Sequence, residues 1–155
     1  MEAHNHEGPV LFAYDGFEDS KAAIRRAGRQ FRSGSTAIVL TVWEPFAAMP
    51  FASTPTAPRG LEQNLEREAR RVADEGARLA RLCGFDAESV AERGDSIWRR
   101  IVRSAEEHDA SIVVLGAHGR TGTQLVAWGS VAAAAAEHTA RPVLIVHAPP
   151  RSGAR

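Results

Sequence analysis

The clearest chemical signal in this chain is the run Val113-Val114-Leu115-Gly116-Ala117-His118-Gly119-Arg120-Thr121-Gly122, with nine residues intervening between Gly119 and the following Gly129-Ser130-Val131. An apolar stretch, Ile112 to Leu115, breaks into a glycine-punctuated segment. Gly129 and Ser130 then open an alanine-rich one, Ala132 to Ala136. This reads as buried strand, open loop and helix start. A helix start fed by glycines turns backbone N–H groups outward, and such a start attracts phosphate. Three residues could act as acids or bases: Asp15, Glu44 and, within the run, His118. Asp15 could also reach a Mg²⁺ ion carried on phosphates. No nucleophile–base pair is visible from spacing, and His118 reads as a solvent-facing loop residue rather than a catalyst. Cys83 continues an apolar stripe and reads as a small core residue. His4 and His6, on a polar end, read as incidental rather than as a metal site.

The elements that must position these residues follow from periodicity. Val10 to Tyr14 and Ala37 to Trp43 are nearly continuous apolar runs, the mark of strands covered on both faces. Asp15-Gly16 turns the chain after the first strand, with Asp19 or Ser20 as the expected N-cap of a helix. Its stripe, Ala23, Ile24, Ala27 and Phe31, extends to about Arg32. Pro45 to Gly60 carries four prolines and no periodicity, and is expected to be a flap that gains order on ligand binding. Leu61, Leu65, Ala69, Val72, Gly76, Leu79 and Cys83 define a long amphipathic helix. Along it, Glu66–Arg70 and Asp74–Arg78 are acid-first pairs worth about 0.3–0.5 kcal/mol each. Phe85 to Ala91 is a weaker strand. Asp95 or Ser96 caps a helix whose inner face is Ile97, Trp98, Ile101, Val102 and Ala105. Arg99, Arg100 and Arg103 read as its solvated face rather than a nucleic-acid patch. Arg141-Pro142 leads into a last apolar strand, Val143 to Val146.

Strands alternating with helices imply a parallel sheet covered on both faces, an α/β fold. Ligands in such sheets sit beyond the carboxyl ends of the strands, where strand order reverses. If the first strand and the glycine-loop strand are neighbours there, Asp15 and Gly116 to Gly119 face one crevice. Composition sets the outer limits. The chain has 155 residues, 44% hydrophobic and 25% charged, enough for one domain with a real core. A formal net charge of zero gives no reason to expect nucleic acid or an anionic membrane as partner. The single cysteine fits a reducing compartment, and no signal-peptide or membrane-spanning pattern is visible, so the expected location is cytoplasmic. Residues 1–8 and 149–155 are expected to be tails around a domain over 9–148.

Two phosphate loops can be set aside. A Walker loop needs lysine followed by serine or threonine, and the only lysine, Lys21, precedes an alanine far from the glycines. A Rossmann dinucleotide loop needs its glycines after the first strand, and Gly116-x2-Gly119-x2-Gly122 has the wrong spacing. What remains, Gly116-x2-Gly119-x9-Gly129-Ser130, resembles the glycine motif of nucleotide-binding universal stress proteins. Asp15-Gly16, Val42, Pro45, His118, Arg120 and Arg141-Pro142-Val143 also look like family positions, and the resemblance spans roughly residues 9–148. Phe17 departs from the serine common after Asp-Gly.

The resemblance implies a Rossmann-like, three-layer α/β sandwich of the adenine nucleotide alpha hydrolase type. Its five parallel strands would run in the order 3-2-1-4-5. It implies binding of ATP, or of ADP or AMP, with Asp15 near ribose and adenine and Val42 meeting adenine through its backbone. Gly116, Gly119, Gly129 and Ser130 would surround the phosphates, with Arg120 nearby, and Leu115 and Val131 would complete the nucleotide-binding set. The expected role is a regulatory, stress-responsive nucleotide-binding module. A slow Mg²⁺-dependent ATP hydrolase and a nucleotide-free dimeric protein of the same fold are the alternatives. Val143 to Val146, an apolar strand that the family order puts at a sheet edge, suggests a homodimer joined through that strand.

Overall fold

The computed structural model describes residues 8–49, 56–118 and 130–149. Five strands and four helices alternate: β1 (Val10–Ala13), α1 (Glu18–Gly28), β2 (Thr36–Trp43), α2 (Leu61–Leu82), β3 (Asp86–Arg93), α3 (Ile97–Glu107), β4 (Ile112–Gly116), α4 (Ser130–His138) and β5 (Val143–Val146). The sheet is parallel throughout, in the order β3-β2-β1-β4-β5. Strand order reverses beside β1, which pairs with β2 on one side and β4 on the other, Ala13 lying level with both Leu40 and Leu115. The expected adjacency of β1 and β4 is therefore present.

Side chains alternate across β1, and each set feeds its own core. Val10, Phe12 and Tyr14 face α1 and α2, with Ile24, Val39 and Phe85. Leu11 faces the other layer, where Leu40, Val113 and Leu115 meet Ile101 and Ala105 of α3 and Ala132 and Ala135 of α4. Phe12, Leu11, Val39 and Val114 are essentially inaccessible. At about 25 cal/mol per Å² of apolar area removed from water, this two-sided burial is the main force holding the layers together.

The long helix differs from its sequence reading in an informative way. Of the predicted stripe, Ala69 and Gly76 are buried as expected, whereas Leu61, Leu65, Val72, Leu79 and Cys83 are only half-buried; Ala73, Ala77 and Ala80, outside the stripe, are buried in their place. The bulk comes from the other side of the contact: a Cβ added at Gly76 would lie 2.6 Å from Tyr14 and 2.7 Å from Val39. Small residues are what the gap admits. Glu66–Arg70 forms as expected at 2.7 Å, but Asp74 accepts the Ser89 hydroxyl of β3 rather than pairing with Arg78. Near β2, Phe46–Ala48 makes a short 3-10 turn, and the Phe46 N–H donates to Glu62 Oε1 at 3.0 Å. Part of the expected flap, 50–55, lies outside the described residues.

The face of α3 is also wider than its apolar pattern. Ser104 is fully buried, and its hydroxyl has no hydrogen-bond partner among the described residues. An unsatisfied buried hydroxyl is a net cost, and alanine is the better helix former. Ser104→Ala should therefore stabilise the fold by about 1 kcal/mol, seen as a higher urea midpoint at unchanged m. The arginines of this helix are compensated rather than bare. Arg100 pairs with Glu92 and Glu107, Arg103 pairs with Glu107, and Arg99 lies 5.2 Å from the Trp98 ring centre.

Candidate functional site

At the carboxyl ends of β1, β2 and β4 the sheet opens into a cavity of about 600 Å³, within the size range of small-molecule sites. It lies over the strand-order reversal and reaches the helices of both layers: Val72 and Glu75 of α2, Ile97 and Ile101 of α3. Six residues singled out from sequence line it together: Asp15, Val42, Leu115, Gly116, Ser130 and Val131. They come from four separate segments: the β1 exit, β2, β4 and the first turn of α4. The other three, Gly119, Arg120 and Gly129, lie outside the described residues. Glu44 and His118 also line the wall.

Asp15 shapes the β1 exit. Its Oδ1 accepts the Phe17 backbone N–H at 2.9 Å and lies 2.8 Å from Ser20 Oγ, which also sits 2.9 Å from the Phe17 carbonyl. This is an Asx-type turn, and it moves the helix start forward. Helix α1 begins at Glu18 with Phe17 as the flanking residue, so neither Asp19 nor Ser20 is the cap. The helix also stops at Gly28, short of Arg32, although Phe31 still packs on the core. Phe17 is exposed at the cavity rim.

Gly116 ends β4 directly beneath α1. A Cβ there would lie 2.7 Å from the Asp19 carbonyl carbon and 2.7 Å from the Ser20 nitrogen. The absent side chain is what lets the first turn of α1 rest on the strand. Two residues on, His118 departs from the solvent-facing reading. It is half-buried, with Nδ1 2.9 Å from Asp19 Oδ2, and its backbone N–H donates to the same oxygen at 2.9 Å. Asp19 had only the signature of a cap, and nothing local pointed to a partner almost a hundred residues away.

A second polar contact crosses the cavity from β1 to α2. The Tyr14 hydroxyl donates to Glu75 Oε1 at 2.8 Å, and Lys21 and Arg71 flank Glu75 at 3.7 and 3.6 Å. Burial, then the bond to Glu75, pushes the Tyr14 phenol well above its usual range. The same bond holds the Glu75 carboxyl below the ordinary carboxylate value, with Lys21 and Arg71 adding to it. A depressed carboxylate stabilises the fold above its unfolded pKa, and that contribution disappears as pH falls through the folded value. Tyr14→Phe should thus cost about 0.5–1 kcal/mol at neutral pH, at the low end because Glu75 is part-exposed. The deficit should close in acid. Urea unfolding of both proteins at about pH 7 and about pH 3 checks this.

The hydroxyls of the wall are satisfied within the protein. Thr41 Oγ1 donates to the Tyr14 carbonyl at 2.9 Å, so the hydroxyls of Tyr14, Ser20 and Thr41 are each committed to a carboxylate or carbonyl. Apolar groups from both layers form the floor, and helix α4 presents its N-terminal turn at Ser130. Among the described residues no group of three or more His, Cys, Asp or Glu side chains is arranged around a metal position.

The family model for universal stress proteins matches residues 8–147. The chain belongs to the universal stress protein family. A universal stress protein of Mycolicibacterium smegmatis is 30% identical over 152 residues, covering 93% of this chain and 47% of that protein. This chain therefore spans about half the length of that curated relative. Among solved structures, hypothetical protein MJ0577 superposes with a TM-score of 0.78 at 20% identity, covering 94% of this chain and 99% of the other. A universal stress protein in complex with cAMP gives a TM-score of 0.63 at 26% identity, covering 92% and 98%. Like these proteins, the chain has the universal stress protein fold, a doubly wound parallel sheet. Among the described residues, no helix is long and apolar enough to cross a membrane.

Proposed function

We propose that this universal stress protein binds an adenine nucleotide, ATP or its lower phosphates, in the cavity at the strand-order reversal, and acts as a regulatory module through it. The observation that carries this reading is the convergence of Asp15, Val42, Leu115, Gly116, Ser130 and Val131 on one cavity wall. In this reading Asp15 meets the ribose and Val42 meets adenine through its backbone at the end of β2. The N-terminus of α4, with Ser130 and Val131, faces the phosphates, where the helix dipole and outward N–H groups favour negative charge. Gly119, Gly129 and Arg120 supply the remaining phosphate contacts. The need for glycine at position 116 is already met by its contact with α1, so its share toward the ligand is backbone only. A Mg²⁺ ion, where present, would arrive with the phosphates, and Asp15 is the carboxylate proposed to meet it. That a universal stress protein 26% identical in sequence was crystallised with cAMP supports the ligand class.

The functional unit in this reading is a homodimer. Strand β5 lies at the sheet edge, and Val143, Leu144 and Ile145 are only half-buried. Pairing of two such edges around a two-fold axis would cover them.

Calorimetric titration with ATP, ADP and AMP tests the ligand, and light scattering at tens of micromolar tests the assembly. One saturable site per chain and a dimer mass are the expected results. No binding heat, with no nucleotide released on heat denaturation, would overturn the reading.

A further inference from the structure

Asp19 is not the cap of helix α1, which begins at Glu18 with Phe17 flanking it and no side-chain cap bond. The Asp19 carboxylate serves other segments instead. Its Oδ2 accepts the His118 backbone N–H and lies 2.9 Å from His118 Nδ1, while its Oδ1 accepts the Ala148 N–H at 3.0 Å. The Asp19 side chain is only 13% exposed. One carboxylate, an acceptor at every lone pair, thus joins three places: the first turn of α1, the residue where β4 enters the glycine motif, and the chain leaving β5. The His147 ring stacks edge-on against His118 with centroids 5.7 Å apart. The contact of α1 with Gly116 sets the depth of this junction.

Building on the nucleotide reading of the cavity, we propose that Asp19 is a positioning residue. By clamping the peptide and imidazole of His118 against α1, it sets the phosphate end of the cavity before a ligand arrives. A carboxylate hydrogen-bonded to backbone N–H groups is a strong, directional tether. Held in advance, the His118 segment need not lose freedom when a ligand binds, and that saving appears as affinity. Asp19 acts on the cavity through His118, which lines the wall and in this reading stands at the phosphate side, so its effect should scale with the number of phosphates on the ligand.

The test is the affinity of ATP, AMP and adenosine for the parent, Asp19→Ala and Asp19→Asn, with amide hydrogen exchange on each. In Asp19→Ala the amides of His118 and Ala148 should exchange faster, while those of Val113–Leu115 stay protected. ATP affinity should fall about tenfold and AMP affinity less, with adenosine within about twofold of the parent. Asp19→Asn keeps the shape with one acceptor oxygen and should fall between, which serves if the alanine variant folds poorly. In a double cycle with His118→Ala, the two losses should be non-additive. Equal losses for ATP and adenosine would make the role merely structural and overturn the inference, as would unchanged ATP affinity once His118 exchange has accelerated. If the parent binds neither ATP nor adenosine, the nucleotide reading fails first and takes this inference with it.

Discussion

Gly116→Ala is expected to destabilise the protein by about 3 kcal/mol, although it adds a single methyl group. The new Cβ would meet the backbone of Asp19 and Ser20 at 2.7 Å, about an ångström inside ordinary carbon contact. Nothing there can yield by rotating a side chain, so α1 must lift off β4. That movement pulls Asp19 away from His118 and Ala148, and the loss of those bonds adds to the strain. The helical glycine at 76 is the useful contrast. Gly76→Ala also meets neighbours at 2.6 to 2.8 Å, but these are the side chains of Tyr14 and Val39, and the helix gains about 1 kcal/mol in propensity. Its net cost should be smaller, about 1–2 kcal/mol. Urea denaturation of both variants decides the order. A Gly116→Ala protein as stable as the parent would mean that α1 does not sit as tightly on β4 as these distances require.

Gly119→Val should abolish ATP binding, a loss of at least about a hundredfold, while the fold and the assembly persist. If phosphate is held by backbone N–H groups and a helix start, occupying the space hurts more than removing a charge. A β-branched side chain enters the phosphate position, and a left-handed backbone at 119 would add strain of its own. Arg120→Ala removes one cation and should weaken affinity by a modest factor that shrinks as salt rises. Ser130→Ala should fall between, losing one hydroxyl in the first turn of α4. Calorimetry on the three variants, with circular dichroism to confirm folding, ranks them. If folded Gly119→Val binds ATP as tightly as the parent, the phosphates sit elsewhere.

How far this protein could be read from its residues depends on the range of each interaction. The strands were legible because burial on both faces leaves continuous apolar runs such as Val10–Phe12 and Val113–Leu115. The reversal beside β1 was legible once the glycine motif was matched to a family, and with it the convergence of Asp15, Val42 and Ser130. The helices were legible as periods, but not always as faces. In α2 the sheet-facing residues are alanines and a glycine, because Tyr14 and Val39 fill the gap from the other side. Hydrophobicity ranks leucine above alanine, whereas the available space reversed that order.

Taken by itself, the amino-acid order determined what acts over a few residues: apolar periodicity, the turn at Asp15-Gly16, and the serine at the start of α4. The tertiary structure alone decided the contacts made across long separations. Tyr14 reaches Glu75, Asp19 reaches His118 and Ala148, and Ser104 is buried with no partner among the described residues. Asp19 shows why. Near a helix start an acidic residue has the same local signature whether it caps the helix or reaches away from it. The choice went to His118 because Gly116 lets α1 approach β4 closely enough for one carboxylate to reach that residue's backbone and ring. Such an approach distance is set by packing between layers, and packing has no periodicity along the chain.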